Sequence, residues 1–402
     1  KFRVSYGVTG NQEIGTYQSL AQLGSRRYGG PDYQFGDNLV GGITTTSVAN
    51  AALKWERSRQ FNAGLDLAVL NGALTFTADY YNTITDDLLL NRPLPPNSGF
   101  GSVLSNIGSI RNRGVEFSAG YNTNLTDNSS WQTSLNVSAN RNEVLNIEGQ
   151  EIRGGGVDNN VFQGNIVREG SPVGAFYGYD IIGIIRDQEE AEAYSDIMPG
   201  VVPGQERVRD VNGDGQITEA DRTILGNPYP DYTIGWSNTL SYGNFDLYAF
   251  LQASIGNDIF NVDKFALSTG GIDQNKPVEY YENRWTPENR DAKYPVLATP
   301  QGQGYNGTGA GSIEDLFIED GSYLRAQNVT LGYNIPTSFA QLDTYGFRTA
   351  RVYMSALNVF TITNYSGPNP DVNTQGQDNI NRGVDIGGYP LARAFRMGIR
   401  LG

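Results

Sequence analysis

Length, composition and charge restrict the classes of protein to which this sequence can belong. The 402 residues include 50 glycines and 24 tyrosines, which is typical of strands joined by turns. Cysteine and histidine are both absent, which excludes disulfides, thiolate metal sites and catalysis by an imidazole base. With 29 basic and 43 acidic residues the net charge is −14, so a nucleic acid is not an expected partner.

Alternation of apolar and polar residues predicts β-strands from the start of the chain. Apolar side chains occupy every second position near the first residue, and the same period recurs in Phe61–Val69 and Leu74–Tyr80. Between these two runs lies Asn71-Gly72, a dipeptide that favours a two-residue type I′ hairpin turn. Such a turn pairs Val69 with Leu74 and places both apolar faces on one side of the sheet.

A second hairpin is predicted near the middle of the chain, where Gly243-Asn244 favours a type II′ turn that sets Tyr242 opposite Phe245. Further strands are predicted at Val115–Tyr121, Trp131–Ala139, Tyr323–Tyr333, Arg348–Phe360 and Ala392–Leu401. The total is about ten strands, each as long as a tilted membrane strand requires. A membrane helix needs roughly 20 apolar residues, and no run approaches that length.

The connections between these strands alternate in length. Short ones are predicted at Asn71-Gly72, Thr126–Ser129, Gly243-Asn244 and Pro336–Tyr345, and long ones at Gly10–Glu56, Ile84–Arg113, Val144–Pro230, Asn257–Gly321 and Thr361–Pro390. Outer-membrane barrels have short periplasmic turns and long extracellular loops. We therefore expect the first strand to run outward and the C-terminus to be periplasmic.

The predicted fold class is all-β, an antiparallel transmembrane β-barrel. A soluble β-sandwich or solenoid also alternates and has glycine-rich turns, so it remains the alternative. The polar face consists mostly of Ser, Thr, Asn and Gly, which suits a hydrated lumen better than a charged soluble surface. Aromatic residues near predicted strand ends suit the girdles of a membrane barrel, although cross-strand packing explains any single one equally well.

The stretch DVNGDGQITEAD, residues 210–221, has the spacing of an EF-hand calcium loop. Its candidate metal ligands are Asp210, Asn212, Asp214, the backbone carbonyl of Gln216, Thr218 and Asp221. Gly215 makes the sharp turn, and a short outgoing helix is expected over Glu219–Leu225. We expect a structural Ca²⁺ that stiffens an extracellular loop, and the alternative is a turn that closes on its own hydrogen bonds.

Seven segments together resemble the SusC-like (SusC/RagA) TonB-dependent outer-membrane transporters. They are KFRVSYGVTGNQEIGTYQ, LKWERSRQFNAGLDLAVLNG, SNIGSIRNRGVEFSAGY, the stretch from Asp210 to Leu247, RWTPENRDAKYP, EDGSYLRAQNVTLGYNIP and ARVYMSALNVFTITNYSG. The resemblance extends over essentially the whole chain. It implies that residues 1–402 are the C-terminal portion of a barrel of about 22 strands.

The resemblance also implies a function and partners. Such proteins import glycans or peptides across the outer membrane with a SusD-like surface lipoprotein, and paired assemblies of two lidded barrels are expected. A plug domain and the segment that contacts the TonB complex would lie outside this sequence. Because the chain begins at Lys1 without an initiator Met or a leader, we expect it to be the later part of a longer protein, and its last residue, Gly402, stands where the family commonly has an aromatic.

Two other functions compete with transport. One is a secreted, calcium-stabilised adhesin or glycan-binding β-protein, and the other is a glycosidase that uses carboxylates alone. No paired acidic motif supports the second, so no catalytic residue is predicted. Substrate contacts are not readable from one sequence: Trp285, Tyr280, Tyr281 and Tyr305 are no more than aromatic candidates, and the resemblance favours a structural anchor for Trp285 in RWTPENR.

Overall fold

Ten strands form one continuous antiparallel sheet in this computed structural model, which confirms the all-β class. The structure describes every residue except 12–15, 26–31, 155–163, 270–274, 298–312, 337–343, 345, 373, 375 and 377. The sheet strands are β1 (Phe2–Asn11), β2 (Glu56–Val69), β3 (Leu74–Pro93), β4 (Ser102–Thr126), β5 (Ser129–Asn146), β6 (Tyr232–Tyr242), β7 (Phe245–Ile255), β8 (Tyr323–Asn334), β9 (Ala350–Thr363) and β10 (Ala394–Leu401). Each strand pairs with the next one along the chain.

Both predicted hairpin registers are confirmed. Val69 lies opposite Leu74, and the turn between them has Asn71 at φ 56° and ψ 33°, the left-handed backbone that a type I′ turn needs. At the second hairpin Tyr242 pairs with Phe245, and Gly243 has a φ of 56°. Because side chains alternate with a period of two, these registers fix which residues share a face throughout the sheet.

The sheet has one apolar and one polar face. The apolar face is exposed rather than packed against a second sheet: Phe2 is 84% and Met397 79% accessible, and apolar residues of the strands between them point the same way. The opposite face carries hydroxyl and amide groups joined by hydrogen bonds, such as Ser118 Oγ to Asn136 Oδ1 at 2.7 Å. An exposed apolar face of this size argues against the soluble sandwich and fits a wall in contact with lipid.

One predicted connection is wrong, because Ile84–Arg113 is not a long loop. β3 continues to Pro93 and β4 starts at Ser102, so the connection is short and contains only the 3-10 turn Pro96–Ser98. Irregularities between Thr85 and Leu89 shift the pairing of β3 with β4 before a regular register resumes at Leu89 opposite Asn106. Such bulges break the period of two, which hides the strands from a periodicity test.

The described residues of the long connections that follow β5, β7 and β9 fold together into a surface body, which lies within 147–231, 256–322 and 364–393. One core cluster joins all three through Phe176, Phe260, Phe317 and Val384, and a second contains Val144, Ile147, Ile152 and Val167. Short strands in these segments and in the β1–β2 connection are Leu23–Ser25, Asp32–Phe35, Asn38–Gly41, Ile43–Thr45, Ile152–Arg153, Asn165–Val167, Ala175–Tyr179, Ile181–Ile184, Glu206–Val208, Thr223–Gly226, Asp258–Asn261, Ile313–Glu314, Ile318–Asp320 and Val384–Asp385.

Helices are few and short in the described residues. They are α1 (Gln188–Tyr194), α2 (Val262–Thr269) and α3 (Val278–Asn283), with 3-10 turns at Leu70–Gly72, Glu219–Asp221 and Asp315–Phe317. Among the helices described here, none has the length and apolar character needed to cross a membrane. Most of the fully buried hydrophobic residues lie in the surface body or at the strand ends beneath it, so the sheet acts as a wall and the body as a separate packed layer.

A charged residue on the apolar face should destabilise the wall. Ala78 points outward between Phe76 and Tyr80 on β3, so Ala78→Arg should cost about 2–4 kcal/mol if that face meets lipid. Thr77→Arg on the same strand points to the polar face beside Asp66 and should cost much less. Denaturant titration of the full-length protein in lipid vesicles measures both, and equal losses would contradict the assignment of the faces.

Candidate functional site

The predicted calcium loop lies in the surface body between the strands Glu206–Val208 and Thr223–Gly226. Two glycines allow it to turn back on itself: Gly213 and Gly215 have φ values of 74° and 82°, which disfavour residues with a Cβ. Ile217 donates its backbone N–H to the carbonyl of Ile197 at 3.1 Å, so the loop is attached to the segment after α1. The local fold is therefore that of a closed turn anchored at its second half.

The first three candidate ligands lie side by side and bind the loop backbone. Asp210 accepts hydrogen bonds from the amides of Gly213 at 2.7 Å and Gly215 at 2.9 Å. Asn212 Oδ1 accepts from the Asp214 amide at 2.8 Å, and Asp214 Oδ1 accepts from the Gln216 amide at 2.9 Å. These bonds orient three side-chain oxygens in one turn, and each oxygen has a second lone pair with which a hard cation can interact.

Asp221 anchors the end of the loop and is fully buried. Its carboxylate accepts from the amides of Val211 at 3.0 Å and Thr218 at 2.7 Å, and Thr218 in turn caps the short 3-10 turn. Burial raises the pKa of Asp221, but these amide hydrogen bonds outweigh it and lower the pKa overall. The carboxylate thus stays ionised and ties the two ends of the loop together.

The predicted outgoing helix over Glu219–Leu225 is wrong. Only Glu219–Asp221 is helical, and Arg222 already has an extended backbone at φ −68° and ψ 138°. The following residues form a strand in which Ile224 pairs with Tyr177. A strand forms here instead of a helix because Thr223 and Ile224 are β-branched and a sheet edge is available beside them.

The described part of the chain contains no cluster of three or more Asp, Glu, His or Cys side chains with the geometry of a metal site. In the calcium loop the carboxylates of Asp210, Asp214 and Asp221 are instead occupied by amide donors. The residue types still match a Ca²⁺ loop, with oxygen ligands at alternate positions and a carbonyl from Gln216.

Two arginines on the polar face of the wall form three ion pairs near the end that carries the turns β2–β3, β4–β5 and β6–β7. Arg3 on β1 binds Asp66 and also Asp79 on β3, at 2.8 and 2.9 Å, by reaching across β2 at Gly64. Arg351 on β9 likewise contacts Asp246 on β7 across β8 at Gly332. A Cβ on either glycine would collide with these side chains, so glycine makes both cross-strand bridges possible.

The aromatic candidates for substrate contact do not form one site. Tyr280 is buried against Tyr294, and its hydroxyl donates to the carbonyl of Pro295. Trp285 Nε1 donates to the carbonyl of Arg186 at 3.1 Å, which is a structural anchor between two segments. Tyr281 is exposed with the Arg284 guanidinium over its ring, and Tyr305 lies outside the described residues.

Sequence reasoning missed a buried carboxylate pair, formed by Glu206 in the strand Glu206–Val208 and Glu314 in the strand Ile313–Glu314. Their side chains are 2% and 3% exposed, and neither oxygen of Glu206 has a hydrogen-bond partner. Burial, with the neighbouring Glu314 charge, raises the pKa of Glu206, and burial raises the pKa of Glu314 to about 7. A proton on Glu206 can be donated to Glu314, so the pair is stable when it shares a proton.

Comparison with known proteins decides the family. Residues 1–180 match the family model described as "TonB dependent receptor-like, beta-barrel". The whole chain is 36% identical to TonB-dependent receptor P3 of Formosa agariphila and 30% identical to the TonB-dependent receptor SusC of Bacteroides thetaiotaomicron, over 39% and 37% of their lengths. It also superposes in full on the structure titled RagAB peptide transporter, with a TM-score of 0.77, 26% identity and 40% of that chain covered.

The chain belongs to the barrel of the SusC/RagA-like TonB-dependent receptors. It spans about two-fifths of the length of these relatives. Membership of this receptor family confirms the resemblance found in the sequence, the barrel fold class and the prediction of a non-enzymatic protein. It also assigns the receptor barrel to the outer membrane of a Gram-negative bacterium.

The buried pair should make the surface body of this receptor sensitive to pH. Both pKa values are raised in the folded state, so the stabilisation is complete below the unfolded pKa of 4.5 and is lost as the pH rises through about 7. Hydrogen exchange of peptides around Glu206 and Glu314, corrected for intrinsic rates, should therefore quicken between about pH 5 and about pH 8.

Two variants control this experiment. The double variant Glu206→Gln with Glu314→Gln removes both titrating carboxyls and should flatten the pH dependence, whereas Glu189→Gln on the exposed face of α1 should leave it unchanged. A profile that is already flat in the unmodified protein would contradict the shared proton.

Proposed function

We propose that this barrel belongs to an importer that takes up oligosaccharides or peptides through the outer membrane with energy from the TonB complex. The observation that carries the proposal is the superposition of the entire chain on a structure titled a peptide transporter, at a TM-score of 0.77. The two-faced wall supports it, since an apolar outside and a hydrated inside suit a wall around a polar passage. The adhesin alternative leaves the exposed apolar face unexplained.

The proposed orientation puts the surface body outside the cell and the C-terminus in the periplasm. All the connections that build the surface body lie at one end of the wall together with the short β3–β4 connection, and the turns β2–β3, β4–β5 and β6–β7 lie at the other. Outer-membrane barrels distribute loop lengths in this way. The body would then face arriving cargo, while the luminal ion pairs of Arg3 and Arg351 would lie near the periplasmic mouth.

The proposed partners follow from the relatives. One relative is the RagAB peptide transporter, titled as a two-part assembly, and another is named SusC. We therefore infer a SusD-like surface lipoprotein that closes over the surface body, a TonB contact through a segment outside this sequence, and pairs of such complexes. Peptide and oligosaccharide both remain as cargo classes, because no described cluster of aromatic residues favours sugars.

Affinity capture and growth test the proposal together. The full-length protein, tagged and extracted with detergent from its native membrane, should retain a lipoprotein of the SusD type. Deleting the gene of the full-length receptor should abolish growth on a defined peptide mixture or on a defined oligosaccharide as the sole nutrient source. Deleting the gene of TonB should have the same effect. A protein that stays monodisperse without detergent, with unimpaired growth on both sources, would overturn the proposal.

We also propose that the loop at residues 210–221 binds a structural Ca²⁺. Asp210, Asn212, Asp214 and the carbonyl of Gln216 would supply the main ligands, with Thr218 and Asp221 completing the set. The ordered row of oxygens in the first turn supports this assignment. Asp221 is shorter than the Glu usual at that position, and its oxygens already hold amides, so it would bind through one oxygen or through water.

Calorimetry with Ca²⁺ tests the loop directly. The full-length protein should release or absorb heat with one site per chain, and Asp214→Ala should weaken binding by about tenfold or more, since one charged ligand is lost. Asp127→Ala, a matched change in the short turn between β4 and β5, should bind like the unmodified protein. Identical heats from the unmodified protein and Asp214→Ala would refute the site.

A further inference from the structure

Five arginines lie together on the outward face of the wall, at the end that carries the surface body. We call them the arginine patch: Arg57 and Arg59 on β2, Arg111 and Arg113 on β4, and Arg141 on β5. Side chains two positions apart on a strand share a face. Arg59 lies two positions from Phe61, and Arg113 lies two positions from Val115. Both of these apolar residues are exposed on the outward face, so the arginines point outward as well.

The patch directly continues the apolar belt. One row across the sheet reads Val4, Ala63, Tyr80, Val115 and Ala139, all outward and uncharged. The next row toward the surface body reads Tyr6, Phe61, Asn82, Arg113 and Arg141, and the row after it reads Val8, Arg59, Ile84, Arg111 and Glu143. Apolar rows thus give way to arginines within one or two positions, where a bilayer passes from acyl chains to headgroups.

The positive charge of the patch is only partly neutralised by the protein. Asp86 contacts Arg59 at 2.7 Å and Arg57 at 4.0 Å, and Glu143 contacts Arg111 at 3.4 Å. Among the residues that the structure describes, Arg113 and Arg141 have no carboxylate partner, and both are exposed.

These two arginines are also direct cross-strand neighbours. Like charges on opposite positions of an antiparallel pair repel each other, and no contact within the described residues relieves this repulsion. An anion between the two guanidinium groups would do so.

The patch occupies one sector of the wall only. On β6 to β9 the last outward positions are apolar, with Ile234, Ile255, Leu324 and Ile362. Ile234 is in register with Val137 and Phe117, two outward rows away from Arg113 and Arg141. The positive charge is therefore concentrated on β2, β4 and β5, in the sector where the strands extend past the apolar rows.

We propose that the arginine patch binds the phosphate groups of a phosphorylated glycolipid in the outer leaflet. Guanidinium groups form bidentate hydrogen bonds with phosphate, and Arg113 and Arg141 together offer two such forks. The acyl chains of the same lipid would lie on the adjoining outward residues Tyr80, Val115 and Phe117. A free phosphate would use only the arginines, so the apolar rows beside them favour the lipid.

Titration of diphosphoryl lipid A into the full-length protein in detergent, followed by native mass spectrometry, tests the proposal. Arg113→Gln with Arg141→Gln should weaken binding roughly tenfold or more, because each cation near an anionic lipid surface contributes to the affinity. The matched control is Arg396→Gln with Arg400→Gln, which removes two charges from the inward face of β10 and should change nothing. The affinity of the unmodified protein should also fall steeply with salt.

Other results would overturn the proposal. The proposal would be overturned if both double variants bound lipid A equally well, or if the affinity did not depend on salt. It would also be overturned if millimolar inorganic phosphate displaced lipid A completely, because that would indicate a site for free anions. If the Arg113/Arg141 variant fails to assemble, the lipid A affinity of Arg59→Gln and its dependence on salt are measured instead, and an unchanged affinity in both would overturn the proposal. The assay requires no cargo and no TonB, so its outcome is independent of the proposed transport.

Discussion

The structure depends on one constraint, which is the register of an antiparallel ladder whose side chains alternate between two solvents. Strands that face hydrocarbon must satisfy their backbone groups within the sheet, because lipid offers no hydrogen bonds. With the pairs Val69–Leu74 and Tyr242–Phe245 in place, apolar residues face outward on every strand. A slip of one residue would reverse both faces at once, so register matters more here than any single contact.

Register also explains where function can reside. The wall contributes an apolar outside, a polar inside and glycines such as Gly64 and Gly332 that let ion pairs cross an intervening strand. The packed cores lie instead in the surface body, where Phe176, Phe260 and Val384 come from three different connections. The loop at residues 210–221 and the Glu206–Glu314 pair therefore lie in the surface body and not in the ten-stranded sheet.

Much of this architecture is readable from the sequence because it is local. Alternation and the turn dipeptides identify ten strands, and the fixed spacing of residues 210–221 identifies the closed loop. Bulges after Thr85 interrupt the period and hide the extension of β3, while the strand at Ile224 depends on a partner, Tyr177, that is distant in the sequence. Glu206 and Glu314 are likewise brought together only by tertiary packing, and the arginine patch is visible only after four strands are aligned.

The way the surface body is joined together has a consequence for biogenesis. Phe260 pairs in parallel with Val384, and Gly178 pairs in parallel with Ile313, so its small sheets combine segments that emerge after β5, β7 and β9. None of these segments can finish its own tertiary structure alone. The surface body must consequently complete its folding last, after the final hairpin has been inserted. Until then its apolar side chains would be exposed to chaperones and proteases.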